Sequence, residues 1–343
     1  MNPASIVIRT AKRHSRGGRV EMKRVAAALS ATVVLVTCNA VGSRMAEVAP
    51  DDSKTVVQEF FAAINRGDAK AAAALFDAAA TNYSEPVPRD ARSFFQTGVE
   101  DILRTFPDWH MQVVDWAAEG NDIVALCRVT GTHNGVGHLP LNGGLVIDVP
   151  PTGRKIDVAH IHWFQVRNGK IVDHAVARDD VGMYRQLGIL QRATVSETSQ
   201  RLASTEPVAR TPEQWTTATI ERNRQAVRAF FEQENARDTA KLSVPVQTGF
   251  KDILRTFPDW HWNVVRIVGQ GDSVVALVRA SGTHQGVSEL PVNGALLVGA
   301  QPTGKHFEVW HIHWFKLAEG RITADYRTRD DIGVYKQLGL LTK

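Results

Sequence analysis

With 343 residues the chain exceeds one typical domain and can hold two of about 150 residues, each able to bury a core. Its formal net charge is +4, yet residues 1–46 hold eight Lys/Arg against the single acid Glu21, which leaves −3 for the rest. The basic surplus belongs to the leader, and nothing in the composition supports a nucleic-acid surface.

Residues 1–50 read as that leader. Residues 22–40, MKRVAAALSATVVLVTCNA, have a basic start, an apolar stretch of about 13 residues and then small residues, which is the order of a secretory signal. The stretch is shorter than the roughly 20 residues of a membrane span. The expectation is a secreted or periplasmic protein; LVTC, ending at Cys38, also matches a lipoprotein processing site loosely, which would tether the chain to a membrane. With the leader removed, Cys127 would have no disulfide partner, and inside DIVALCRVTG it reads as a buried, inert thiol.

Residues 51–190 form a complete unit. Val57, Phe60, Phe61 and Ile64 recur at helical spacing, and NRGD then breaks the helix and offers Asp68 as the cap of a second, alanine-rich one. A short strand carrying Asn82 and Tyr83 follows, and Val99, Ile102, Leu103 and Phe106 mark a third helix closed by Pro107. After PDW the apolar period becomes two, through HMQVVDWAAEG, DIVALCRVTGTHNG, RKIDVAHIHWFQVRNG and KIVDHAVARD, with EG, HNG and NG as turn signals. A last helix, DVGMYRQLGIL, ends the unit. This order predicts an α+β cone: a curved antiparallel sheet with helices over one face and a hydrophobic pocket between the layers.

The rest of the chain repeats the unit. TGVEDILRTFPDWH returns as TGFKDILRTFPDWH 151 residues later, HIHWF recurs unchanged at the same offset, and GTHNG, PTGRKI and RDDVGMYRQLGIL are matched there by GTHQG, PTGKHF and RDDIGVYKQLGLL. Ahead of this stretch the offset is 170, pairing EFFAAINRGDAKAAA with AFFEQENARDTAKLS, so the second copy lacks 19 residues between its first helix and QTG. Residues 191–219 read as a polar linker and 220–343 as a truncated second copy. The deletion should uncover apolar surface, so the copies are expected to pack on each other or on a second chain.

In DVAHIHWFQV, period two puts His160 and His162 on one face and Trp163 on the other; both faces carry apolar groups, so which one lines the pocket stays open. In IVDHAVARD, Asp173, Ala175, Ala177 and Asp179 share one face, and His174, Val176 and Arg178 the other. Copy two exchanges Asp173 for Ala324 and His174 for Asp325 but keeps Asp179 as Asp330. Two accounts of Asp179 stand side by side: a pocket acid raised by desolvation, or a capping residue of the last helix. For His162 the accounts are catalysis, core hydrogen bonding and metal ligation; the metal account draws on His133, His138 and His174, whose counterparts His284, Glu289 and Asp325 keep donor groups, but HExxH and cysteine clusters are absent. No cofactor and no metal are assigned. Asn82, Tyr83, His160, Trp163 and His174 are the further pocket candidates.

Together, DILRTFPDWH, GTHNG, PTGRKI, HIHWFQVRNGKIVDH and DDVGMYRQLGIL resemble the SnoaL-like polyketide or ester cyclase family of the nuclear-transport-factor-2-like superfamily, in full over about residues 56–190 and truncated over 226–341. The resemblance implies the cone fold and cofactor-free ring closure by intramolecular aldol addition on an aromatic polyketide ester. It also implies an acid on the last strand acting as general acid/base beside a histidine of the preceding strand. Those roles fall on Asp179 and His162, with Asp330 and His313 as counterparts, while Asn82 and Tyr83 match the family's polar first strand. Ala175 and Tyr326 stand where family members often have tryptophan. The expected function is a cofactor-independent, cyclase-like lyase or isomerase acting on a small apolar carbonyl compound or polyketide-type ester. The alternative is a non-catalytic module, secreted or membrane-tethered, that binds a small apolar or aromatic molecule.

Overall fold

Apolar side chains at helical spacing on the first segment and at period two on the later ones dictate two layers, and the computed structural model has them. It describes residues 50–83, 89–140, 144–190, 215–241, 244–291 and 296–341. The leader, with Cys38, and the linker through residue 214 lie outside the described residues.

In the first copy α1 (Pro50–Asn65) leads into α2 (Ala69–Ala74), whose first turn is capped by the Asp68 carboxylate accepting from the Ala71 amide. β1 (Phe76–Asn82) and the two-residue β2 (Arg89–Asp90) precede α3 (Ala91–Thr105). Four long strands follow: β3 (His110–Glu119), β4 (Asp122–Thr132), β5 (Lys155–Arg167) and β6 (Lys170–Arg178), then α4 (Asp180–Leu187). The β5–β6 turn is the NG pair, with Asn168 and Gly169 both at positive φ as a tight hairpin of that type requires. The sheet runs β2-β1-β6-β5-β4-β3, antiparallel except that β1 lies parallel to β6.

The second copy begins with α5 (Thr217–Asn235) and, after a 3₁₀ turn, α6 (Val244–Thr256). Its sheet has four strands, β10-β9-β8-β7, from β7 (His261–Gln270), β8 (Ser273–Thr283), β9 (His306–Ala318) and β10 (Arg321–Arg329), and α7 (Asp331–Leu338) closes the unit. The 19 missing residues correspond to β1 and β2, while α2 is matched by the 3₁₀ turn Thr239–Lys241; among the described residues β10 is therefore a sheet edge where β6 has a neighbour. Matching register shifts, between Val113 and Asp115 and between Val264 and Arg266, bend both sheets at equivalent places.

Each sheet turns its concave face to its helices and its convex face to the other sheet. Trp163, Val124, Leu126, Ala175 and Ala177 from one copy form a continuous buried cluster with Trp314, Val275, Leu277 and Ile312 from the other. Polar contacts rim this layer: Arg266 pairs with Asp173 at 2.9 Å, Lys316 with Asp115 at 3.1 Å, and the Gly269 amide donates to Glu119 at 3.1 Å. No described helix is long and apolar enough to cross a membrane.

Candidate functional site

The cavity of the first copy lies between α1, α3 and the concave faces of β3, β5 and β6. Ile64, Phe95, Val99, Ile102, Trp109 and Met111 supply apolar walls, and His160, His162, His174, Val176 and Arg178 supply the floor. Its empty volume is about 550 Å³, counted out through its open mouth. Period two explains the floor: His160 and His162 alternate with Ile161 and Trp163 along β5, and the β5–β6 register sets His160 opposite Arg178 and His162 opposite Val176.

Three imidazoles in an apolar hollow must be neutral or paired, and here they are neutral. Burial, and next the positive charge of Arg178, pushes His162 down to about 3. Burial, then His162 and Arg178, holds His160 and His174 well below the ordinary histidine value. The Arg178 guanidinium, part of the lining, forms a 3.2 Å ion pair with the buried Asp180 carboxylate.

A hydrogen-bonded chain fixes the tautomers. The Asn82 amide oxygen is 2.8 Å from His174 Nδ1, and His174 Nε2 is 3.0 Å from His162 Nδ1. An amide oxygen only accepts, so His174 Nδ1 carries the proton and its Nε2 accepts from His162 Nδ1. The remaining nitrogen, His162 Nε2, is then a bare lone pair, and it has no hydrogen-bond partner among the described residues. The arrangement leaves one oriented, unprotonated nitrogen, buried in the floor of the apolar cavity that Arg178 also lines. Such a pair is suited to taking a proton from carbon and holding the charge that develops on oxygen.

Several expectations need correction against this geometry. Asp179 was expected to meet His162 in the pocket, but its carboxylate accepts from the Gly182 amide at 2.8 Å and caps α4. Parity is the reason: His174, Val176 and Arg178 point into the cavity, so Asp179 stands on the alternate side at the strand's end and is not among the lining residues. Asp330 repeats the cap on α7 through Gly333 at 2.8 Å. Trp163 is not a pocket wall; it lies on the convex face, its indole donating to Asp122 at 2.6 Å within the layer between the sheets. Tyr83 also leaves the pocket, packing edge-on against Trp310 of the second copy at 6.0 Å. His160, His162 and His174 do line the cavity, and Asn82 stands behind His174. His133 and His138 are not gathered with them: His133 Nδ1 lies 3.1 Å from the Thr152 hydroxyl and His138 pairs with Asp148 at 2.9 Å. Cys127 is buried and free, and burial pushes its thiol far up. Arg178 is the charged lining residue that sequence reasoning passed over, although its sharing a face with His174 was readable.

His313 occupies the equivalent place in the second copy, with different partners. Its Nδ1 is 3.2 Å from the carboxylate of Asp325, and Trp262 and Glu234 stand where the first copy has Met111 and Ile64.

A cone-shaped α+β domain present twice, with a polar-floored apolar cavity in the first copy, is thus the class this chain defines. The chain belongs to the SnoaL-like polyketide cyclase family, whose model matches residues 54–187 and 208–338. The second match begins inside the span read as linker. Among curated proteins, the aklanonic acid methyl ester cyclase DnrD of Streptomyces peucetius is 33% identical over 79 residues, 23% of this chain and 48% of DnrD, so the chain spans about half the length of that relative. Among solved structures, TsrD from Streptomyces laurentii is 24% identical, covering 42% of this chain and 100% of its own, with a TM-score of 0.36. IdmH from Streptomyces antibioticus is 28% identical over 40% of this chain and 98% of its own, with a TM-score of 0.32.

Proposed function

We propose that the first domain is a cofactor-independent, cyclase-like lyase or isomerase acting on a small apolar carbonyl compound or polyketide-type ester. His162 Nε2 takes a proton α to a carbonyl, and Arg178 holds the enolate oxygen. The carbanion then adds to a second carbonyl that the cavity walls bring near it, and positioning contributes much of the rate of such an intramolecular closure. Family membership supports cyclase-type chemistry, and the observation that carries the mechanism is the Asn82–His174–His162 chain ending in a bare nitrogen. An imidazole held near 3 is a weak base at rest. It gains strength when the enolate arrives beside Arg178, because the new negative charge offsets the guanidinium that had opposed protonation.

Ethyl benzoylacetate, an aromatic β-keto ester, is a suitable probe. In D₂O, NMR should show its α-protons exchanging faster than in buffer, and His162→Gln should lower that excess by about 100-fold with binding retained. Exchange undiminished in His162→Gln would refute the assignment. The non-catalytic alternative draws on the absence of a carboxylate among the lining residues, and it is favoured if the ester binds without any excess exchange. Export to the periplasm or medium is part of the same proposal, and N-terminal sequencing of protein recovered there should place cleavage at or near Cys38.

A further inference from the structure

The second copy has exchanged the cavity's side chains in matched pairs. Ile64 becomes Glu234 and Met111 becomes Trp262, and the Trp262 indole donates to the Glu234 carboxylate at 2.6 Å. His174 becomes Asp325 and Val176 becomes Arg327; Asp325 accepts from both His313 and Arg327 at 3.2 Å. Each new ionisable group arrived with a partner, which is not the pattern of a copy that has simply lost its pocket.

The tautomer logic runs as in the first domain, with a stronger backing group. A carboxylate only accepts, so His313 carries its proton on Nδ1 and presents Nε2, which has no partner among the described residues. Burial lowers His313, but Asp325 opposes that fall, whereas His162 has no carboxylate behind it. On Asp325 itself, burial works upward and Arg327 and His313 outweigh it, so the group stays ionised. Burial raises Glu234 to about 7 against the Trp262 hydrogen bond and Arg327, with Asp325 adding to the rise. The Trp262 ring joins the groups: His311 and His313 both lie 5.3 Å from its centroid, and Glu234 takes its N–H.

The deletion opens the Asp325–Arg327 end of this cluster to solvent, while His313 and Glu234 stay buried behind it. In the first copy Asn82 of β1 pairs beside His174, which is 1% exposed. Among the described residues no such strand lies beside β10, and the Asp325 and Arg327 side chains are 15% and 34% exposed. The Arg327 guanidinium pairs with Asp325, and its charge also acts on Glu234.

We propose that the second domain carries its own acid–base centre for small 2-oxo acids, entered over the β10 edge and independent of the first cavity. Arg327 binds the substrate carboxylate. His313 Nε2 accepts the proton from the carbon α to the carbonyl, the C–H pair moves to form the enol, and the Glu234 carboxyl donates its proton to the carbonyl oxygen; return of both protons regenerates the keto acid.

Pyruvate in D₂O with the full chain tests this, with the methyl signal followed by NMR. Expected is methyl exchange above the buffer rate, about 100-fold lower in His313→Gln and in Asp325→Asn. Arg327→Leu should raise the pyruvate KM at least 10-fold with a smaller change in kcat. Glu234→Gln keeps an acceptor for the Trp262 indole, so it should fold, and it should abolish the limb of the pH–rate profile near 7. That variant decides the matter if His313→Gln does not fold. No exchange above buffer with the wild-type chain, or exchange that is lost in His162→Gln and survives in His313→Gln, would overturn the proposal. Failure with pyruvate alone leaves the benzoylacetate reaction standing, so the two sites are judged separately.

Discussion

Single residues in this fold take their roles from the side of the strand on which they fall. Asp179 shows the consequence: as the α4 cap it contributes stability, and its carboxylate is committed to the Gly182 amide. Asp179→Ala should cost about 1 kcal/mol in denaturant unfolding, and Asp179→Asn, which keeps an accepting oxygen, much less. Both variants should leave benzoylacetate exchange within about twofold of wild type; a collapse of exchange in a folded Asp179→Asn protein would return that residue to the chemistry. The buried histidines add a pH signature. His162 goes from about 6.5 unfolded to about 3 folded, so the unfolded chain binds protons that the folded one refuses. Stability is therefore full above about 6.5 and falls as the pH drops towards 3, by up to about 5 kcal/mol for this residue. Glu234 acts in the opposite sense: raised from 4.5 to about 7, it stabilises fully below its unfolded value, and that share is lost as pH rises through 7. Melting temperatures from pH 4 to 8 should fall on the acid side, and Glu234→Gln should remove the alkaline part of the curve.

Among the elements, β5 and β6 carry the site, and much of their contribution was legible. The HIHWF alternation and the period of β6 gave the correct pairing of faces, His160 with His162 and His174 with Arg178. What period two cannot say is which face looks at the helices when both are apolar, and here Trp163 and Ile161 are as buried as His162 because a second sheet covers them. The resemblance placed the acid at Asp179, but alternation had already put that residue opposite His174. The α4 start adds a steric requirement: a Cβ on Gly182 would sit 2.1 Å from the Asp179 carboxylate oxygen. Gly182→Ala should therefore break the cap and destabilise the protein by about 1–2 kcal/mol, more than Asp179→Asn. The Asn82–His174 contact was out of reach of sequence reasoning because it depends on β1 lying parallel to β6, 92 residues away.

At the scale of the whole molecule, the repeat folds back to back, burying both convex faces around Trp163 and Trp314. Residue spacing alone supports two cones but not the face each gives up. The layer couples the domains, so Trp314→Ala should cost about 3–5 kcal/mol and lower the unfolding midpoint of both copies together. Independent transitions, with the first copy unaffected, would show the layer to be weak. Expressed alone, residues 220–343 would expose Trp314, Val275 and Ile312 and should associate or aggregate; a well-behaved monomer would contradict that expectation.

The account depends most on where the protons sit on two rings, which long-range ¹H–¹⁵N correlation spectra of ¹⁵N-histidine-labelled protein read directly. At pH 7, His162 and His174 should both appear as neutral rings protonated on Nδ1, with His162 Nε2 at the shift of a bare nitrogen, and these signals should persist to pH 5. A proton on His162 Nε2, or a charged ring at pH 7, would contradict the account.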